Sequence, residues 1–228
     1  MPESLFVFDE ERASSYDHQF IKLAPFRDAL HLAMRMVLAP VPAKARILCL
    51  GVGTGAEILA LAEDRPQWQF VGVDRAAPML AICRQRMEDA GLAPRCTFYE
   101  GEIDALPESE PFDVATSLLV SHFVLDPAQR RALFAGLAAR LRPGGVLVNA
   151  DLAGDGQPAA GLDLLETWVH TLRYAGVSVQ REMFIQNIDL RAPDAVASMI
   201  AASGFDPPVR IFQSLMMHAW YARRRTAG

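Results

Sequence analysis

The pattern of apolar and polar positions along the chain predicts five buried strands separated by helices. Short apolar runs lie at 45–50, 70–73, 96–99, 114–119 and 146–150. Runs of this length, bounded by glycine, proline or acidic residues, are typical of strands that are buried on both faces. Because segments with helical spacing alternate with these strands, we expect βαβ units and a parallel sheet covered on both sides.

The segments between the predicted strands have apolar residues at helical spacing. We expect helices at 55–64, 78–90 and 127–141, with Pro78 in the first turn of the second. The segment 142–145, Arg-Pro-Gly-Gly, is predicted as a turn before the fifth strand.

The segment before the first strand is predicted to form one or two amphipathic helices. Apolar residues recur there every three or four positions, Pro25 divides the pattern, and Pro40 and Pro42 end it. Helices that precede a sheet cannot extend it, so we expect residues 1–44 to form a lid over a binding site.

The segment after the fifth strand begins with a Gly- and Pro-rich loop at 154–161 and continues with helical patterning. The predicted helices are 162–174, 178–187 and 193–203, and Gly204 caps the last of them. Two extended stretches then follow with a very short connection, at 209–213 and 216–222. Strands joined so closely must be antiparallel.

A glycine-rich loop follows the first strand directly, with the sequence Gly51-Val52-Gly53-Thr54-Gly55. Glycines let a backbone turn sharply and approach a ligand, and the following helix would offer N–H groups to a carboxylate or phosphate. We therefore expect a nucleotide-type cofactor loop. Gly51, Gly53 and Ala56 also fit the relaxed dinucleotide pattern, and a tight turn without a ligand is the third interpretation.

An acidic residue, Asp74, ends the second strand about twenty residues beyond the glycines. A carboxylate at that place can accept hydrogen bonds from both ribose hydroxyls of a nucleoside. The alternative is an exposed Asp at a strand end.

Composition narrows the classes of function. The chain has 228 residues, 51% of them hydrophobic, and a formal net charge of −5, which argues against nucleic-acid binding. Cys49, Cys83 and Cys96 are odd in number and lack metal-ligand spacing, so we expect no metal site and a reducing, cytoplasmic setting. An acidic N-terminus without an apolar core, and no apolar stretch long enough to cross a bilayer, argue against export and membrane insertion.

The Gly-x-Gly-x-Gly loop, Asp74 and the predicted C-terminal hairpin together resemble the class I S-adenosylmethionine-dependent methyltransferases, over residues from about 45 to 225. The resemblance implies an α/β, Rossmann-like sheet of seven strands, mostly parallel, with an antiparallel C-terminal hairpin. It divides the chain into a helical lid at 1–44 and a methyltransferase domain at 45–228, with a helical substrate insert at about 155–190. The implied cofactor is S-adenosylmethionine, and the product is S-adenosylhomocysteine.

The resemblance also implies a set of cofactor-binding residues. The lid would supply a tyrosine, the loop its glycines, and the strand ends the ribose, adenine and sulfonium contacts, with Asp104 as an alternative to Glu102. The expected residues are Tyr16, Gly51, Gly53, Gly55, Asp74, Arg75, Met79, Glu102, Ile103, Ser117 and Leu118.

The chemistry expected is direct SN2 transfer of a methyl group to a small-molecule acceptor. A sulfonium methyl is already activated, so a general base is needed only for a hydroxyl or a protonated amine. His122 and His170 are the candidate bases. Residues 117–120, Ser-Leu-Leu-Val, lack the Asn/Asp-Pro-Pro-Tyr/Phe signature of nucleic-acid and protein amide methyltransferases. The sequence leaves the oligomeric state open, a homodimer included.

Three alternatives remain from the sequence. One is an NAD(P)-dependent oxidoreductase, from the relaxed dinucleotide match. Another is a protein that binds S-adenosylmethionine without turnover. The third follows from a similarity in spacing to the carboxy-S-adenosylmethionine synthases, in which an Arg at the place of Arg181 holds the carboxylate of a modified cofactor. A surface Arg181 paired with Glu182 or Glu166 is the competing explanation.

Overall fold

The structure, a computed structural model, describes residues 9–155 and 162–226. Its helices are α1 (Glu10–Gln19), α2 (Ala24–Val37), α3 (Ala56–Ala62), α4 (Ala77–Asp89), α5 (Pro127–Arg140), α6 (Leu164–Ala175), α7 (Arg181–Gln186) and α8 (Pro193–Ala202). Its strands are β1 (Arg46–Leu50), β2 (Gln69–Asp74), β3 (Cys96–Glu100), β4 (Phe112–Leu118), β5 (Leu141–Leu152), β6 (Val209–Ser214) and β7 (Met217–Arg223).

The strands described form one sheet in the order β3-β2-β1-β4-β5-β7-β6. The first five pair in parallel, whereas β7 pairs antiparallel with both β5 and β6. The prediction of a mostly parallel sheet with a C-terminal antiparallel hairpin is confirmed. The strand order reverses between β1 and β4. The carboxyl ends of β1, β2 and β4 lie next to one another there, and open α/β sheets bind ligands at this position.

Helices cover both faces of the sheet, as the unbroken apolar character of β1 predicts. Leu48 and Leu50 face the cluster that contains α5 and α8, and Ile47 and Cys49 face the cluster that contains α2, α3 and α4. All four side chains are at most 5% exposed. Burying apolar surface on both faces at about 25 cal/mol per Å² is the main stabilising contribution to such a core.

The N-terminal segment forms two helices, where the sequence predicted one or two, but the division falls at residues 20–23 and not at Pro25. Pro25 lies in the first turn of α2, where its missing N–H has no helical partner to lose. Met34 of α2 and the following Leu38 pack into the same core cluster as Ile47. Helix α2 is thus part of the sheet's cover, while α1 lies nearer the glycine loop.

The prediction for the fifth strand is wrong at its start. Residues 142–145, predicted as a turn, lie inside β5. They do not pair with β4, because Phe112 pairs with Leu141 and Val114 pairs with Val146. Their backbone pairs with the C-terminal tail instead: Gly144 N–H donates to Arg224 O, and Arg224 N–H donates to Gly145 O.

Two helices differ in extent from the prediction. Helix α6 begins at Leu164 because the Asp163 side chain caps it, accepting from Glu166 N–H at 3.0 Å. Helix α7 is shorter than the predicted 178–187. Most of the predicted 154–161 loop, residues 156–161, lies outside the described residues. Among the helices described, none is both long and apolar enough to cross a bilayer.

Candidate active site

The glycine loop takes a conformation that only glycine adopts easily. Gly51, Gly53 and Gly55 have φ values of 66°, 53° and 82°, all in the left-handed region. A Cβ on Gly51 would collide with the Val120 side chain, and one on Gly55 would lie 2.7 Å from Cys83 Sγ. The glycines therefore serve both the turn and the close approach of α4 and of the segment after β4.

Asp74 fixes this loop and keeps capacity for a ligand. Its Oδ2 accepts from Gly53 N–H at 2.8 Å, and its Oδ1 accepts from Ala76 N–H at 2.9 Å. A carboxylate has about four lone-pair sites, so each oxygen of the half-buried group can accept one further hydrogen bond. Two adjacent hydroxyls of a ribose match that capacity.

Helix α1 is attached to the glycine loop through Asp17. The Thr54 hydroxyl donates to Asp17 Oδ1 at 3.1 Å and accepts from Arg86 Nη1 at 2.9 Å. Arg86 Nη1 also lies 3.1 Å from Asp17 Oδ2. These bonds join α1, the glycine loop and α4 into one unit.

Tyr16 lies beside the same carboxylates. Burial raises its pKa to about 12, and the charges of Asp17 and Asp74 add to the rise, so the phenol is neutral and near the predicted ribose site. Its ring centroid is 4.9 Å from that of Phe20. The expected contact between Tyr16 and the cofactor stays a prediction.

The structure places the remaining expected cofactor residues in different environments. Met79 is buried, and its Cε would lie 3.5 Å from a Cβ on Gly53. Arg75 is exposed and its Nε lies 3.5 Å from Glu102 Oε1. Ile103 packs in the core, where its Cγ2 would lie 3.1 Å from a Cβ on Gly136.

The carboxyl end of β4 holds the last two expected residues. Ser117 is fully buried and its hydroxyl has no hydrogen-bond partner among the described residues, whereas Leu118 is partly exposed. Leu119, the next residue, has φ 59°, a left-handed conformation that costs a branched L-residue about 1 kcal/mol or more. Backbone strain of this kind is concentrated at functional sites.

His122 and Asp151 form a buried pair beyond this strained residue. The Nδ1 atom of His122 lies 2.8 Å from Asp151 Oδ1, and the His122 N–H donates to the same oxygen at 2.9 Å. His122 is 1% exposed and its ring lies 4.2 Å from that of Phe123, centroid to centroid. In the described part of the chain Nε2 has no hydrogen-bond partner, and it is not among the polar atoms sealed from solvent.

Three more groups hold Asp151 through its other oxygen. Oδ2 accepts from the Ser121 hydroxyl at 2.5 Å, Arg130 Nη2 at 2.9 Å and Asn149 Nδ2 at 3.0 Å. Burial alone would raise the pKa of Asp151, but the bond from His122, the charge of Arg130 and the bond from Ser121 hold it far below its usual range. Asp151 is therefore an anion.

Arg130 carries this network to the segment after α7. Its side chain is fully buried, and Nη1 donates to the Asp189 carbonyl at 2.7 Å and to Asp189 Oδ2 at 3.1 Å. Asp189 also pairs with Arg191 Nε at 2.6 Å and donates its N–H to His122 O at 2.7 Å. His122 is thus held by Asp151 of β5 and by Asp189 of the segment after α7.

His170, the other candidate base, lies elsewhere. Its side chain is 68% exposed on α6, and Nε2 lies 3.5 Å from Glu166 Oε1, one turn away. It takes no part in the buried network around Asp151.

Sequence reasoning missed Asp151, Arg130, Asp17 and Glu57. Asp151 directly follows a predicted strand, and Glu57 is the acid in the otherwise apolar helix Ala-Glu-Ile-Leu-Ala-Leu-Ala. An acid inside an apolar helix, or directly after an apolar strand, is the signal that could have identified these two residues. Arg130, on a helix with several polar neighbours, gives no such signal.

The sheet order, the glycine loop and the strand-end carboxylate define a Rossmann-like enzyme that binds a nucleoside-containing cofactor. Residues 47–145 match the family model described as "Methyltransferase domain". The chain is 33% identical over 175 residues to a demethylmenaquinone methyltransferase of Thermus thermophilus, a match covering 74% of this chain and 77% of that protein. It belongs to the S-adenosylmethionine-dependent methyltransferase family.

Two further relatives are similar over part of their length. A carboxy-S-adenosyl-L-methionine synthase of Campylobacter lari is 30% identical over 150 residues, covering 65% of this chain and 62% of that protein. The solved structure of an O-methyltransferase family protein from Burkholderia thailandensis superposes with a TM-score of 0.71 at 15% identity, covering 99% of this chain and 63% of that one. The chain thus spans less than two thirds of both of these proteins.

The family's cofactor, S-adenosylmethionine, fits the residues present. Asp74 has free acceptor capacity at the ribose position, and the loop leaves no room for side chains at Gly51 and Gly55. Since the cofactor is S-adenosylmethionine, the interpretation of the loop as a nicotinamide site is not retained.

Proposed function

We propose that the protein transfers a methyl group from S-adenosylmethionine to a small-molecule acceptor by direct SN2 displacement, with His122 as general base. The observation that carries the proposal is the buried His122–Asp151 pair next to the cofactor end of β4. The cofactor supplies an activated methyl group on its sulfonium and leaves as S-adenosylhomocysteine. The tie between Asp17 and Thr54 supports a role for the lid in excluding water.

The hydrogen bonds around His122 suit a base. Asp151 is ionised and can only accept, so the neutral imidazole carries its proton on Nδ1 and presents a lone pair at Nε2. As the acceptor oxygen attacks the methyl carbon, Nε2 takes the hydroxyl proton and the ring becomes an imidazolium. The Asp151 carboxylate stabilises that cation, and the network through Arg130 keeps the ring oriented.

The surroundings of His122 favour a partly apolar acceptor. Phe123, Leu119 and Leu118 pack with Phe20 and Phe26 of the N-terminal segment in one apolar cluster, together with α6 and α7. Lys22 Nζ donates to the Tyr174 carbonyl at 2.9 Å and joins the N-terminal segment to α6. We propose that the lid, residues 1–44, and the insert at about 155–190 enclose the acceptor between them.

The test is a methyl-acceptor screen with matched histidine variants. Release of S-adenosylhomocysteine is measured against a panel of small aromatic alcohols, amines and thiols. His122→Asn keeps an N–H directed at Asp151 but removes the base, so kcat for a hydroxyl acceptor should fall about 10²- to 10⁴-fold while cofactor affinity is unchanged. His170→Asn, on the exposed face of α6, is the control and should have no effect. Equal activity of all three proteins would contradict the assignment of His122.

A second candidate function is the synthesis or binding of a carboxylated cofactor, because one relative is a carboxy-S-adenosyl-L-methionine synthase. Against it, Arg181 Nη1 lies 2.7 Å from Asp163 Oδ2 and 3.8 Å from Glu166 Oε2, so two carboxylates already neutralise its charge. Mass spectrometry of the cofactor that co-purifies with the protein decides the point. An added carboxylate on it would favour this second function.

The cellular setting and the partners complete the proposal. Cys49, Cys83 and Cys96 are free thiols, which agrees with a reducing, cytoplasmic setting. A small acceptor, with no nucleic-acid or membrane partner, agrees with a net charge of −5. The oligomeric state, a homodimer included, is decided by light scattering.

A further inference from the structure

Glu57 is a buried carboxyl group for which the described residues supply no hydrogen-bond donor of ordinary geometry. It lies in the first turn of α3, two residues after Gly55, and is 5% exposed. Both Oε1 and Oε2 are sealed from solvent, and neither has a hydrogen-bond partner among the described residues. An acceptor buried without a donor costs about 1–3 kcal/mol, and a charged acceptor costs more.

The neighbours of Glu57 do not satisfy it. The Cys49 thiol of β1 and the Thr116 hydroxyl of β4 lie beside the carboxyl group and oppose the rise in its pKa. Neither forms a hydrogen bond of ordinary geometry with it, and Thr116 donates to Leu48 O at 3.4 Å. Burial is the main cause that raises the pKa of Glu57 to about 7, and the charge of Asp74 adds to it. Without a ligand, the group is poised between its neutral and charged forms near neutral pH.

Sheet topology places Glu57 on one side of the cofactor site. Asp74 ends β2, and β1 separates β2 from β4. A nucleoside whose ribose is held at Asp74 and whose adenine lies towards β3 would direct the rest of the molecule across the end of β1 towards β4. Glu57 lies between Cys49 of β1 and Thr116 of β4, on the side opposite the adenine position expected at Glu102.

The chemistry of the cofactor selects one group for this position. The two acceptor oxygens of Glu57 need N–H or O–H donors. The ribose hydroxyls would bind Asp74, the adenine amino group would lie towards β3, and a sulfonium has no hydrogen to donate. A carboxylate beside the sulfonium would also compete for the methyl group, because it is itself a nucleophile. The donor that remains is the ammonium of the methionine part.

We propose that Glu57 binds the ammonium group of the methionine part of S-adenosylmethionine. The ammonium supplies the missing donors, and the pair forms charge-assisted hydrogen bonds in a site shielded from water. Because both oxygens are sealed from solvent in the ligand-free protein, cofactor binding must open the site beside α3, and the unsatisfied buried group then becomes a satisfied ion pair. Glu57 thereby selects for the complete cofactor over nucleosides that lack the amino-acid part.

The test measures binding by calorimetry with no acceptor present, so it is independent of the methyl-transfer proposal. The probes are S-adenosylhomocysteine and 5′-methylthioadenosine, which lacks the amino-acid part. Glu57→Gln should weaken the binding of S-adenosylhomocysteine by about tenfold or more and leave the affinity for 5′-methylthioadenosine unchanged. A deaminated S-adenosylhomocysteine that keeps its carboxylate should bind the wild type and the Glu57→Gln variant equally. Glu63→Gln, on the exposed end of the same helix, is the control and should change neither.

Several outcomes would overturn the proposal. Unchanged S-adenosylhomocysteine affinity, or an equal loss for both nucleosides, would make Glu57 a structural residue. A loss of affinity for S-adenosylmethionine but not for S-adenosylhomocysteine would indicate that the Glu57 carboxylate interacts with the sulfonium. Binding of 5′-methylthioadenosine reports that the variant is folded. If Glu57→Gln fails to fold, Glu57→Asp keeps the charge on a shorter side chain and should show the same selective loss, smaller in size.

Discussion

The ring of His122 and the carboxylate of Asp151 meet 29 residues apart in the chain, with Nδ1 2.8 Å from Oδ1. The pair joins the turn after β4 to the end of β5. Arg130 adds the opposite charge from α5 and reaches Asp189 after α7. The turn after β4, the end of β5, helix α5 and the segment after α7 thus together fix the orientation of the His122 imidazole.

Replacing Asp151 by Asn should affect catalysis and stability together. The change removes the anion that fixes the proton on Nδ1 and leaves Arg130 with Asp189 as its remaining carboxylate partner. We expect a loss of about 3 kcal/mol in the free energy of unfolding, measured by urea titration. We also expect a lower kcat with unchanged affinity for S-adenosylhomocysteine.

Asp113→Asn is the matched control for that variant. Asp113 also accepts from an Arg side chain, at 2.7 Å from Arg142 Nε, and from the Arg46 N–H at 2.8 Å. It lies at the opposite end of the sheet, so its loss should lower stability without changing kcat. Wild-type kcat in Asp151→Asn would contradict the role given to the pair.

Gly51→Ala should abolish cofactor binding, and Gly91→Ala should not. Both glycines have positive φ, 66° and 68°, so both variants bear the same backbone strain, about 1 kcal/mol. A Cβ on Gly51 collides with Val120, whereas one on Gly91 meets no atom within 4 Å. Calorimetry with S-adenosylhomocysteine and thermal unfolding separate the two effects. If both variants lost the same unfolding free energy, the close approach of Val120 to Gly51 would be unimportant for stability.

Asp17→Asn should loosen the lid. The change removes the ion pair with Arg86, which lies between α1 and α4 and contributes about 1 kcal/mol or less to stability because it is partly exposed. We expect faster amide exchange in α1 and weaker S-adenosylmethionine binding, with little change in global stability. Asp28→Asn, an exposed residue bonded to its neighbour Arg27, is the control. If amide exchange in α1 were unchanged, the contacts of Asp17 would not be what holds α1 in place.

Glu57 should make the ligand-free protein less stable as the pH rises. Its folded pKa of about 7 lies above its ordinary value of 4.5, so the folded state binds more protons across that interval. The Glu57 contribution to the free energy of unfolding should fall by about 3 kcal/mol over this range and stay constant above it.

The measurement compares the wild type with Glu57→Gln across that pH range. His31 and His218, whose pKa burial lowers to about 4, act in the opposite direction over part of it, but they are common to both proteins. The difference in unfolding free energy between variant and wild type should therefore grow with pH. A difference that is independent of pH would contradict the raised pKa.

The sequence allowed most of the sheet to be predicted, because the parallel strands are mostly apolar runs separated by segments with helical spacing. The short connection between β6 and β7 predicted that they are antiparallel. The number of residues between the glycine loop and Asp74 identified that carboxylate. The Asp151 network could not be predicted, because its partners come together only when β5, α5 and the segment after α7 pack. Likewise, the start of β5 depends on Arg224, which is 79 residues beyond Gly145.

The most direct test of the cofactor site is calorimetry of S-adenosylhomocysteine with the wild type, Asp74→Ala and the surface control Asp64→Ala. Among the described residues Asp74 accepts from the Gly53 and Ala76 N–H groups and keeps acceptor capacity, so its loss should remove the hydrogen bonds proposed for the ribose. We predict that the wild type and Asp64→Ala bind equally and that Asp74→Ala binds at least about tenfold more weakly. Equal affinity in all three proteins would contradict the site.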